Sequence, residues 1–173
     1  MIKFIAVLLA SVIIGAETPD QWAIDRQWNS MTDEQRYEAS IELKARAVGL
    51  SEEEFIFFSS VVEAESDRGS SDESMRNRIL IALTIYDRQA SRSFPDTITG
   101  VLQQSGQFSV VASERCWDVG RTNRSDWAII EAHRWLAEGD SPNVMYFNCI
   151  GYNGFTPYAC VGDNFFMTVE EEE

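Results

Sequence analysis

Acid–base chemistry has one well-placed pair of carboxylates in this chain, Glu63 and Glu65, at the end of an apolar segment. Val61-Val62-Glu63-Ala64-Glu65-Ser66 closes a run in which Phe55, Phe58 and Val62 share one helical stripe, and position 65 is next on that stripe. Glu65 therefore replaces an apolar residue at the rim of an apolar element, just before the polar stretch 67–74. A carboxyl group there is partly desolvated yet still reaches solvent, the setting of a general acid with a raised pKa. The plainer alternative for Glu65 is an exposed charge at a helix end. Glu63 is its rival for the role, and otherwise reads as a solvated or supporting carboxylate.

Other chemistries find less material. The chain has one histidine, His133, in mid-helix between Ala132 and Arg134, and it reads as structural or surface-exposed rather than as the base of a nucleophilic hydrolase. Three cysteines, no C-x-x-C and a single histidine leave no zinc ligand set, and no cofactor motif is present. Cys149 and Cys160 flank a turn-rich stretch and are the nearest pair for a disulfide; with Cys116 they fit unpaired thiols equally well. Trp117, Trp127 and Trp135 read as core, with Trp117, in a polar stretch, the best sugar platform of the three.

The elements that must position Glu65 are read from capping and periodicity. Ser51-Glu52-Glu53-Glu54 is a capping box that opens the helix through Phe55 to Ala64. Upstream, Gln21 to Met31 reads as a short helix, and Thr32-Asp33 caps a second one over Glu34 to Val48, closed by Gly49. Downstream, a helix from about Met75 to Arg88 is apolar over most of its surface and must be buried. A short helix over Ile98–Gln103 comes next, then a strand or extended loop over Ser105–Val111 and an irregular stretch 112–125. Ser125 caps a helix from Asp126 to Glu138. Val144–Phe147 reads as a strand, and Tyr158–Val161 with Asn164–Thr168 as a hairpin about Gly162-Asp163. The class is α+β, helices first and a small antiparallel sheet last.

Composition narrows the partners. With 28 acidic and 14 basic residues the net charge is -14, which disfavours nucleic acid and anionic membrane surfaces. A polymeric substrate must be held by hydrogen bonds and stacking. Residues 1–16 read as an export signal: Lys3, an uncharged apolar run from Phe4 to Ile14, and Gly15-Ala16 before Glu17. Once that signal is removed no stable membrane insertion is expected, and the protein should be a monomer. The domain plan is a signal over 1–16, a helical extension over 17–50, a catalytic domain over 51–169 and an acidic tail over 170–173.

From residue 61 the order of motifs resembles the SleB-type cell wall hydrolases, the spore cortex-lytic family. Val61–Ser66, Tyr86-Asp87-Arg88, Ser93-Phe94-Pro95-Asp96-Thr97-Ile98, Gly106-Gln107-Phe108-Ser109-Val110-Val111, Asn143–Asn148 and Gly162–Phe166 match the family's signatures in order. Asp87 stands where the family has Asn, and Asn164 where it often has His. The resemblance implies a lysozyme-like, lytic-transglycosylase core acting on peptidoglycan glycan strands, with Glu65 as the one essential carboxylate. It implies cleavage between N-acetylmuramic acid and N-acetylglucosamine, in which the muramic C6 hydroxyl closes on C1 to leave a 1,6-anhydro end. Gln107 and Ser109 would hydrogen-bond sugar hydroxyls and acetamides, with Phe108 packed beneath; Tyr146, Asn148 and Tyr152 would stack on or hydrogen-bond the strand. The protein would act at the cell wall, exported from its own cell or phage-encoded. A hydrolytic muramidase, or a non-catalytic wall-binding or virion-associated protein of the same fold, are the rival expectations.

Overall fold

In the computed structural model, residues 21–168 are described. The export signal and the acidic tail lie outside those residues. Two helices make the centre. α4 (Glu52–Glu65) and α5 (Asp72–Ala90) are buried over most of their surface, and the side chains of Phe55, Phe58, Val61, Val62, Leu80, Ile81, Leu83 and Ile85 have no exposed surface. The elements α1 (Gln21–Asn29), α2 (Asp33–Tyr37) and α3 (Ile41–Ala47) precede them. After them come α6 (Ile98–Gln103), α7 (Ser109–Ala112), α8 (Arg115–Val119) and α9 (Asn123–Glu138). α5 packs against α9 and against β1 (Val144–Asn148), while α4 lies against α3, α6, α8 and α9. β2 (Thr156–Val161) and β3 (Asn164–Thr168) complete an antiparallel sheet of order β1-β3-β2. The α+β class read from the sequence is the fold observed.

Several boundaries differ from the reading of the sequence, each for a local reason. The helix expected over Glu34–Val48 is two helices, because Ser40 adopts an extended conformation (φ −63°, ψ 156°) and its hydroxyl caps Leu43. α5 begins at Asp72, one turn earlier than Met75, because Ser71 caps it through the Ser74 amide. Ser109–Ala112 is a helical turn rather than a strand or extended loop, and α8 orders part of the stretch read as irregular. The cap of α9 is Thr122, not Ser125; Ser125 is the third residue of the helix and closes a capping box back to the Thr122 amide. All three cysteines are free thiols, Cys116 buried and the other two exposed. Asn148, Phe165 and Cys160 lie in one row with β3 between. Asn148 and Cys160 are thus two strand spacings, roughly 10 Å, apart, and Cys149 follows Asn148 out of the strand.

The junction between α4 and α5 ends the first of these helices. Ser66 is extended, and its hydroxyl donates to the Glu63 carbonyl and accepts from the Arg68 amide. Asp67 accepts from the Gly69 amide and the Ser74 hydroxyl, and Gly69 passes so close to Ser74 that a Cβ there would collide with it. The β2–β3 turn docks on this junction through Asn77 Nδ2, which donates to the Val161 carbonyl at 2.8 Å, and through the Gly162 amide, which donates to Glu73. Gly162 sits at φ +58°, the left-handed conformation this turn needs.

Candidate active site

Residues two apart on a helix point about 200° apart, so α4 sends Glu63 and Glu65 in opposite directions. Glu63 faces inward. It is 4% exposed and makes a two-pronged pair with Arg78, Nε to Oε2 and Nη2 to Oε1, each 2.9 Å. The Thr122 hydroxyl donates to Oε2 at 2.9 Å. Burial alone would raise its pKa, but the bonds from Arg78, Thr122 and Ser125 and the Arg78 charge together hold it below the ordinary carboxylate value. Arg78 also donates to the carbonyls of Gly69 and Ser74. Glu63 is thus not solvated, as one reading of the sequence had it; it is an ionised buried strut tying α4, α5 and the start of α9.

Glu65 faces the other way and is half-buried. Burial raises its pKa; a hydrogen bond from the Val110 amide and the positive charge of Arg115 temper the rise. Val110 lies in the first turn of α7, where backbone amides have no helical acceptor of their own. The Gly106–Val111 motif thereby reaches Glu65 through its backbone. From the sheet, Asn164 Nδ2 donates to the Glu65 carbonyl at 3.5 Å. A carboxyl whose pKa is raised by burial keeps its proton to higher pH than an exposed one, and the amide donor is there to receive the carboxylate once the proton is given up.

The six expected substrate contacts divide. Phe108 is buried, its ring 6.3 Å from Phe147, while Gln107 and Ser109 on either side of it are exposed. Tyr146 is half-buried between Phe155 at 4.7 Å and Phe94 at 6.2 Å. Asn148 spends its carbonyl oxygen on the amides of Ile150 and Gly151, shaping the turn after β1. Tyr152 stands edge-on to Phe165 at 5.2 Å.

Phe108 and Tyr146 meet at a residue given no role in the sequence reading. The Arg88 guanidinium lies over Phe94 (5.2 Å), Phe108 (5.4 Å) and Tyr146 (5.5 Å), and Nε donates to the Met145 carbonyl at 2.8 Å. Burial pulls its pKa down to about 10, which leaves it cationic at neutral pH. Its Nη1 has no acceptor among the described residues, and the three ring faces surround the cation instead. Beside it Asp87 accepts from the Ser141 hydroxyl and the Val144 amide, each at 2.7 Å, and burial raises its pKa. The signal was in the sequence: an Asp-Arg pair directly after the mostly apolar run 79–86.

A cavity of about 510 Å³ is lined by Val48, Leu50, Tyr86, Gln89, His133 and Leu136 among others, and it includes none of the expected site residues. His133 is half-buried beside Tyr86, with its pKa lowered by burial. Among the described residues no three His, Cys, Asp or Glu side chains come together as a metal site.

Residues 72–154 match the family model described as Cell Wall Hydrolase. That match spans just under half of the chain and agrees with the resemblance to the SleB-type cell wall hydrolases. The match begins after Glu65, so it takes in the Arg88 cluster but not the carboxylate. Two solved structures share the fold. The catalytic domain of the germination-specific lytic transglycosylase SleB from Bacillus anthracis is 22% identical with a TM-score of 0.55, covering 69% of this chain and 98% of that domain. The catalytic domain of the Bacillus cereus SleB protein is 22% identical with a TM-score of 0.56, covering 69% of this chain and 93% of that one. No curated protein sequence matches. Among the described residues no helix is long and apolar enough to cross a membrane.

Proposed function

We propose that this cell wall hydrolase acts outside the cytoplasm as a monomeric lytic transglycosylase, with Glu65 as its single catalytic carboxylate. The observation that carries the assignment is the contrast between the two glutamates. Glu63 is locked ionised by Arg78, whereas Glu65 is half-buried, has a raised pKa and is held by the Val110 amide. Protonated Glu65 gives its proton to the oxygen between N-acetylmuramic acid and N-acetylglucosamine as that bond breaks. The resulting carboxylate takes the proton of the muramic C6 hydroxyl as that oxygen bonds to C1. The products are a free N-acetylglucosamine 4-hydroxyl and a 1,6-anhydromuramoyl end, with no water consumed. One group serves both steps because its pKa lies between those of an exposed carboxylate and a sugar hydroxyl. The exposed Gln107 and Ser109, on either side of the buried Phe108, would hydrogen-bond the strand.

The test is muropeptide mass spectrometry on purified sacculi digested by wild type and by Glu65→Gln. Anhydromuramic products from wild type, lost in the variant, are expected. Reducing-end muramic acid would show hydrolysis by water instead, and products persisting in Glu65→Gln would remove Glu65 from the role.

A further inference from the structure

Trp117 is a large aromatic side chain left more than half exposed, at 56%. It is not loose: its ring lies flat on Phe57, with centroids 5.1 Å apart and planes 18° from parallel. Phe57 is a buried residue of α4, only 8% exposed. One face of the indole is therefore occupied by the core and the other is presented outward. α8, which carries Trp117, packs along α4. It opens at Glu114, held in the left-handed region (φ 59°), a conformation uncommon outside glycine. The same short helix carries Arg115, whose charge is felt by Glu65. Phe57 and Glu65 are eight residues apart on α4, which is about 12 Å along the axis and about 80° around it. That is the length of about two pyranose rings, on neighbouring faces of one helix.

We propose that Trp117 is a sugar-stacking subsite of the glycan cleft, about two rings removed from the bond that is cut. The proposal rests on the reading that Glu65 cuts a glycan strand, and it adds where the strand is gripped. The apolar C–H face of a pyranose packs on an indole face without any charge, which suits a protein of net charge -14 that cannot steer anionic wall polymers. A rigidly backed indole loses little conformational entropy when it binds. Trp117 lies outside every motif that carries the resemblance.

Two measurements separate this from the catalytic assignment. On glycan strands stripped of stem peptides, Trp117→Ala should raise KM roughly tenfold with kcat within about twofold, the signature of lost binding common to ground and transition states. Trp117→Tyr should recover most of the loss. In parallel, Glu65→Gln protein is titrated against the same strands for binding alone, with and without Trp117→Ala. If wild type releases no product, the catalytic reading fails while this titration still decides Trp117. Weaker binding of the double variant, with an unchanged melting temperature relative to Glu65→Gln, supports the subsite. Equal binding overturns it. So does a fall in kcat and melting temperature with KM unchanged, because Trp117 would then only cover Phe57.

Discussion

At the scale of single residues, the two glutamates of α4 behave oppositely with pH, and both signs can be measured. Glu65 has a folded-state pKa above its ordinary value near 4.5, so its ionisation costs stability as pH rises through the raised value. Glu65→Gln should therefore melt higher than wild type at neutral pH and match it below about pH 4.5. Wild-type activity should decline on the alkaline side as Glu65 loses its proton, a limb read from a pH–rate profile. Glu63 has a lowered folded-state pKa, so its contribution is present above about 4.5 and is lost as pH falls through the lowered value. Glu63→Gln leaves Arg78 buried without its counter-charge and should cost roughly 3–5 kcal/mol in urea denaturation. That variant loses activity by unfolding, whereas Glu65→Gln loses it while folded. The pair of melts tells the two apart.

At the scale of elements, Arg88 is where separate sequence motifs meet. Phe94 comes from the connector after α5, Phe108 from the turn into α7 and Tyr146 from β1, and each presents a ring to one guanidinium on α5. The hydrogen bond to Met145 and the Asp87 bond to the Val144 amide pin β1 to the end of the same helix. Phe108 is two residues from Val110, whose amide bonds to Glu65, so one short segment joins the cluster to the Glu65 donor. Arg88→Ala should lower stability by about 2–4 kcal/mol and speed hydrogen exchange at the β1 amides. Arg88→Lys should not restore it, because an ammonium lacks the planar fork that donates to Met145 while facing three rings.

At the scale of the whole molecule, the N-terminal helices are built into the core. Lys44 of α3 is 1% exposed and its Nζ lies 3.2 Å from Asp126 Oδ2 on α9. Asp126 also accepts from the Ser59 hydroxyl of α4 and from Arg121. A chain that starts at Ser51 loses Lys44 from this network and uncovers apolar surface of α4. We expect it to unfold at lower urea concentration and with a broader transition than the chain from Glu17. An unchanged transition would make α1–α3 a separate extension, as the domain plan drawn from the sequence has it.

The local elements were legible because their signals are local. Ser51-Glu54 caps α4 and Gly162 turns the last hairpin whatever surrounds them, since the interactions span only a few residues. The burial of α5 was legible in its composition, and the family resemblance in the order of short motifs. What the chain alone left open was which groups meet across distance. Glu63 and Glu65 look interchangeable as letters; only the packing of α5 brings Arg78, fifteen residues on, against one of them. The Val110 amide at Glu65, the three rings around Arg88 and the indole on Phe57 are contacts between segments far apart in the chain. Ser125 and Thr122 were both eligible caps, and the buried bonds of Ser125 with Ser59 and Thr122 decided between them. Sequence set where α4 opens and placed a carboxylate at its far end. Tertiary packing made the two glutamates different, because a pKa depends on the charges, dipoles and water that the rest of the fold puts around it.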